Sequence, residues 1–154
     1  MNVTQRINSI QEIQDAIKQQ LESNVYFKSH KITVLTENSL DIMFQIKNAI
    51  AKLGICCVVQ TPTFEFYGKD ADGHPVWTMP EFSVVVTEIP TINRARAGAS
   101  TALDAALMVA ETMNELGSEI SLSTISQTET EGYVSVFVTF QSSAHFGYER
   151  KDLS

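Results

Sequence analysis

Phe82-Ser83-Val84-Val85-Val86-Thr87, then Glu88-Ile89-Pro90-Thr91-Ile92-Asn93-Arg94, then an alanine-rich run to Leu116: this is the stretch on which the fold turns. The first six residues are β-strand material, rich in β-branched and aromatic side chains. The connection after them is irregular, polar and proline-containing, so a simple tight turn cannot satisfy its backbone. The side chains of Glu88, Asn93 and Arg94 are the groups available to do so. Beyond it, Thr101-Ala102-Leu103-Asp104 has the form of a capping box with Asp in place of Glu, and Ala102, Ala105, Ala106, Val109, Ala110, Met113 and Leu116 share one helical face that ends at Gly117. So many small side chains imply a helix lying close on a sheet.

Upstream, Ile7, Ile10, Ile13, Ile17 and Leu21 recur at helical spacing, with Ser9-Ile10-Gln11-Glu12 as a capping box near the start. From Asn24 to Thr36 the pattern weakens into a short edge strand or an ordered connection. A second helix carries Ile42, Met43, Ile46, Ile50 and Leu53 on one face, is capped by Asn38 or Ser39, and stops at Gly54. Ile55-Cys56-Cys57-Val58-Val59 continues as a strand through Pro62, where a bulge, bend or edge is expected, into Phe64-Glu65-Phe66-Tyr67. Gly68 to Pro75 is a polar turn, and Val76 to Glu81 leads back into the Phe82 strand as a long hairpin.

Downstream, Ile120 to Thr124 and Tyr133 to Phe140 form a second hairpin around Glu129-Thr130-Glu131-Gly132, and both faces of its last strand are partly apolar. The expectation is a single α+β domain over residues 1–141. About four strands, antiparallel or mixed, pack against two to three helices in the order α-α-β-β-α-β-β. Residues 142–154 lose periodicity and are expected to form a mobile tail.

The 154 residues carry 18 acidic and 11 basic side chains, a formal charge of −7, which disfavours nucleic-acid reading because phosphate neutralisation needs clustered Lys and Arg. The basic residues look scattered along the chain. No signal-peptide core and no run near the roughly 20 apolar residues of a membrane span is present, so a soluble, cytoplasmically made protein is expected. Cys56 and Cys57 are neighbours on a strand and point to opposite faces, which makes them buried thiols rather than a redox or metal pair.

Signals for chemistry are sparse. His30, His74 and His145 fall in three separate loop-like regions without metal-ligand spacing. Asp70 and Asp72 open like a calcium loop, but Gly73-His74-Pro75-Val76-Trp77 lacks the later ligands, and the stretch reads as a polar hairpin tip. No nucleophile elbow, phosphate loop or dinucleotide motif appears. Arg94 and Arg96 precede Gly98-Ala99-Ser100-Thr101 at a helix N-terminus, where an anion could bind. The competing reading has Ser100 or Thr101 cap the helix while the arginines pair with acidic groups such as Glu88. Neither catalytic residues nor a cofactor is expected.

The order of elements, with Glu88, Pro90, Asn93, Arg94 and Gly98, the Thr101–Leu116 helix and the closing Tyr133-Val134-Ser135-Val136-Phe137-Val138-Thr139-Phe140, resembles the tail-terminator and tail-completion proteins of phages and prophages. The resemblance implies a non-enzymatic structural protein of virion assembly that forms a homo-oligomeric, commonly hexameric, ring at the head–tail junction. Its implied neighbours are tail-tube and head-completion proteins, with no membrane and no specific nucleic acid, and its final location is the virion tail. On this view Glu88, Pro90, Asn93, Arg94 and Arg96 form a structural loop or subunit contact, and the hairpin of Asp70, Asp72, His74 and Trp77 contributes to the interface. The alternative is a cytosolic oligomer that binds a small anionic ligand at the start of the third helix.

Overall fold

The structure, a computed structural model, describes residues 4–7, 9–115 and 119–148. In chain order the elements are β1 (Thr4–Ile7), α1 (Ile10–Glu22), α2 (Val25–Ser29), β2 (Thr33–Thr36), α3 (Ile42–Leu53), β3 (Ile55–Val59), β4 (Thr63–Lys69), β5 (Pro75–Glu88), α4 (Pro90–Asn93), α5 (Ala102–Asn114), β6 (Ile120–Thr130), β7 (Tyr133–Ser142) and β8 (His145–Tyr148). The class is α+β as expected. The sheet, however, has eight strands among the described residues and is mixed: β2 runs parallel to β3 and β1 parallel to β8, while the other pairs are antiparallel.

Everything is organised by β5, whose 14 residues pair along both sides. Its second half lies between β3 and β7, and its first half between β4 and β8. Pro80 sits where the ladders on both sides change register, between Thr63↔Glu81 and Glu65↔Thr78 on one flank and between Glu81↔Gln141 and Thr78↔His145 on the other. A proline has no N–H to give to a ladder, so a central strand can hold one only at such a break. Pro62, expected to mark a bend, falls in the gap that separates β3 from β4.

The two faces are covered unequally. On one, α1, α2 and α5 cover the main core, where Leu21, Phe27, Val84, Val86, Val136 and Phe140 are closed off and the rings of Phe82 and Phe140 stack at 5.2 Å. Ala102, Ala105 and Ala106 of α5 are fully buried, which lets that helix lie close to the sheet, as its alanines foretell. On the other face α3 covers only the β2–β3 flank, through Ala49 and Ile50 against Cys56 and Val58. Cys57 belongs to the first core and Cys56 to the second, so the pair does straddle the sheet. Burial pushes the Cys56 thiol up to about 11, and burial with Cys56 beside it pushes Cys57 up further.

Several details differ from the sequence reading. Ile7 is not on α1 but buried at the end of β1, and Ser9, although at the N-cap, makes no side-chain capping bond. The ambiguous 24–36 stretch splits into a capped helical turn, α2, and the strand β2. Asp41 rather than Asn38 or Ser39 precedes α3, and Met43 on that helix is exposed rather than on its buried face. The segment expected to leave the fold at Ser142 returns to it as β8, with Phe146 buried in the main core, because its aromatics find Trp77, Phe64 and β1 as neighbours. The expected end of α5 at Leu116 and Gly117, and the tail beyond Tyr148, lie outside the described residues.

Candidate functional site

The connection after β5 folds into a buried polar junction centred on Glu88. The strand ends there because Pro90 opens α4 as its first residue, turning the chain over. Glu88 and Asn93 are fully buried, and the carboxylate accepts from four donors. Oε1 takes Arg94 Nη2 at 3.1 Å and the backbone N–H of Ala102 at 3.1 Å, while Oε2 takes Asn93 Nδ2 at 2.6 Å and Arg94 Nε at 3.3 Å. Asn93 Nδ2 also donates to Ser100 O at 2.7 Å, and Asn93 Oδ1 accepts from Arg96 Nη2 at 2.9 Å. Arg96 Nε reaches the last turn of α3, donating to Leu53 O at 3.1 Å.

Four elements are therefore tied at one point: the end of β5, the C-terminus of α3, the short α4 and the N-terminus of α5. Gly54 is part of this junction. Its φ is +75°, and a Cβ there would stand 2.4 Å from Asn93 N, inside backbone. Its carbonyl accepts from Ile89 N at 2.7 Å. Around the rim, Thr101 Oγ1 caps α5 by accepting from Asp104 N at 3.2 Å, His30 Nδ1 donates to Gly98 O at 2.8 Å, and the Tyr26 hydroxyl bonds Ser100 Oγ.

Electrostatically the site is self-contained. Burial alone would raise the Glu88 pKa, but the hydrogen bonds from Arg94, Asn93 and the Ala102 backbone, with the Arg94 charge, outweigh it and hold the carboxyl below its ordinary range. Arg94, whose side chain is 55% exposed, is in turn held protonated by Glu88. Both carboxylate oxygens are engaged by the protein's own donors, and the lowered pKa makes this group a weaker base than a free carboxylate. The Ser100 hydroxyl is committed to Tyr26 and to Thr101 O. The Ala102 and Asp104 amides at the start of α5 are likewise taken, by Glu88 and Thr101.

The structure thus brings Glu88, Asn93, Arg94 and Arg96 together, with Pro90 setting the turn. The Asp70–Trp77 hairpin lies at the opposite end of β5, roughly 43 Å of strand away at about 3.3 Å per residue. At its tip, Asp70 Oδ1 accepts from the N–H groups of Asp72 and His74, both at 2.9 Å, so that carboxylate closes its own turn. Trp77 meets Phe66 edge-on at 5.8 Å. The histidines are not all in loops: His30 caps α2 and His145 lies in β8 against the Tyr67 ring. Among the described residues no group of three His, Cys, Asp or Glu converges to hold a metal ion. A cavity of about 640 Å³ between α1, the middle of β5 and the end of β7 is floored by Met79, Phe82 and Phe146, with Glu12, Gln19, Gln20 and Glu119 also lining it.

Sequence reasoning picked out the junction's polar residues but missed two of its parts. Gly54 read only as a helix stop, and Ser100 only as a cap; the close passage of Asn93 over Gly54 is a tertiary fact with no local signature. No family model matches this chain, and no curated protein matches it. Among the described residues no helix is long and apolar enough to cross a membrane.

Proposed function

We propose that this chain is a non-enzymatic, ring-forming structural protein of a phage or prophage tail, a tail terminator or tail-completion protein acting at the head–tail junction. The observation that carries the reading is the pair of uncovered sheet flanks. One side ends in β2 and the other in β6, and no strand lies beyond either among the described residues. β1 and β4 are end strands as well, but β2 and β6 close the long β2-β3-β5-β7-β6 path, and closing a ring of identical copies pairs those two without a free end.

The Glu88 junction supports the same reading. It gives a subunit a rigid core at the point where three helices meet the sheet, and its groups are spent on one another rather than offered to a substrate. The acidic balance suits a conduit for DNA, since a negative wall repels phosphates. Tail-tube and head-completion proteins are the partners this role requires.

Light scattering and negative-stain electron microscopy test the proposal, alone and with tail tubes. A closed ring, or density at tube ends, is the expected result. A strictly monomeric protein at high concentration that caps no tube refutes it.

A further inference from the structure

The two open flanks carry opposite charge. From Ala97 to Tyr148, the segment that supplies α5, β6, β7 and β8, there is no Lys or Arg, while Asp104, Glu111, Glu115, Glu119, Glu129 and Glu131 are all present. Across the sheet, the segment supplying α2, β2 and α3 exposes Lys28, Lys31, Lys47 and Lys52 against only Glu37 and Asp41, so it is net positive. Four of the eleven basic residues are thus brought to the β2 side by the fold.

The edges are also complementary as structures. β6 is an 11-residue edge strand, exposed along almost its whole length, with neither proline nor lysine to guard it and one irregularity near Leu122. Proteins ordinarily blunt such edges, and one left this long and bare is built to be paired. β2 is short and recessed. Grooves of about 300 and 440 Å³ border it, one walled by Phe44, Asn48 and Lys52 of α3 and the other by Phe27, Lys28 and Lys31. Phe44 is 69% exposed on that wall.

The strand directions fit as well. Along the registers, Thr33 shares a row with Cys56, Thr87, Ser135 and Thr128, and Thr36 a row with Val59, Val84, Val138 and Ile125. β6 runs with β5, and β2 against it. A second copy carried across the sheet without reversal therefore sets its β6 antiparallel to β2, with Ile125–Thr128 facing Thr33–Thr36. The Glu129–Glu131 tip then comes to the Lys28–Lys31 segment.

We propose that β6 of one copy adds to the β2 edge of the next, so that identical chains join head to tail through one continuous sheet, with Glu129 and Glu131 set against Lys28 and Lys31. The contact is heterologous, the kind that closes rings. It rests on the ring-forming reading and specifies the surfaces by which that ring is made.

A charge swap at exposed positions tests it. One variant combines Glu129→Lys with Glu131→Lys; the other combines Lys28→Glu with Lys31→Glu. Each places like charges across its own contact and is expected to raise the concentration needed for assembly at least about tenfold. A mixture of the two, in equal amounts, juxtaposes opposite charges at every contact and is expected to assemble as the wild type does. Circular dichroism establishes that each variant is folded. If the wild-type ring survives both swaps, or if the swapped variants fail alone and are not rescued by mixing, the edge pairing is wrong while the ring stands. A wild-type protein that never assembles overturns both.

Discussion

Replacing Glu88 by glutamine preserves the shape of the junction and exchanges one acceptor oxygen for a donor. Whichever way the amide turns, two of the four donors lose their acceptor: Ala102 N with Arg94 Nη2, or Asn93 Nδ2 with Arg94 Nε. Arg94 is half in water and can turn outward, so the loss concentrates on one buried donor and on the charge. A hydrogen bond to a charged group contributes ~1.5–3 kcal/mol and an orphaned buried donor costs ~1–3 kcal/mol, which puts Glu88→Gln at ~2–4 kcal/mol. At ~2–4 °C per kcal/mol for a chain of this size, Tm falls by about 5–15 °C. Urea unfolding followed by circular dichroism reads the difference. Because the folded-state pKa of Glu88 lies below its ordinary 4.5, its contribution is complete well above that pH and is lost as pH falls through the folded value. The gap between wild type and variant should therefore narrow on acidification from about pH 6 to about pH 3. A variant within ~0.5 kcal/mol of wild type at neutral pH, or a gap indifferent to acid, refutes the view that this carboxylate ties the fold together. Arg94→Ala should destabilise less than Glu88→Gln.

Gly54→Ala must meet both a left-handed backbone and the Asn93 main chain, so it should cost well over the ~1–2 kcal/mol of the backbone term alone, whereas Gly98→Ala, with open space around it, should cost only that term; chemical denaturation compares them. Gln14 is fully buried with Oε1 unpartnered, and Val59 O, to which its amide donates, keeps a second bond from Glu37 N. Gln14→Met should accordingly raise stability by up to ~1 kcal/mol, and a loss of that size would contradict the packing described. With both thiols buried and their pKa values raised, a thiol reagent at mildly alkaline pH should label Cys56 and Cys57 only at the rate of unfolding; rapid native-state labelling would be inconsistent with their burial. Fluorescence anisotropy should detect no binding to duplex DNA at physiological salt, and micromolar affinity falling steeply with salt would overturn the passive-conduit view.

How much of this was legible depended on whether the cause was local. The α5 face showed in the spacing of Ala102, Ala105, Ala106 and Val109, and the αL residue at Gly54 showed as a helix stop, because both obey rules that act within a turn or two. The Glu88 cluster was visible as a set of polar residues too numerous for a plain turn. What stayed hidden was long-range. β2 and β8 are four residues each, too short to show alternation, and exist because β3 and β5 present them with free edges. Pro80 gave no warning that β5 runs through it, since only the register breaks on both sides make room for it. The gathering of Lys28, Lys31, Lys47 and Lys52 opposite a segment without cations became meaningful only once the sheet had set the two at opposite flanks.

The parallel pairing of β1 with β8 ties Thr4–Ile7 to His145–Tyr148, so strands from opposite ends of the described chain lie side by side. A ribosome extrudes β1 long before β8, and until then β1 has no strand to pair with among the described elements. Closure of this flank is consequently a late, long-loop event, costly in chain entropy and slow for its length. Until His145–Tyr148 has emerged, β1 and the Trp77–Thr78 edge of β5 lack the strand that joins them.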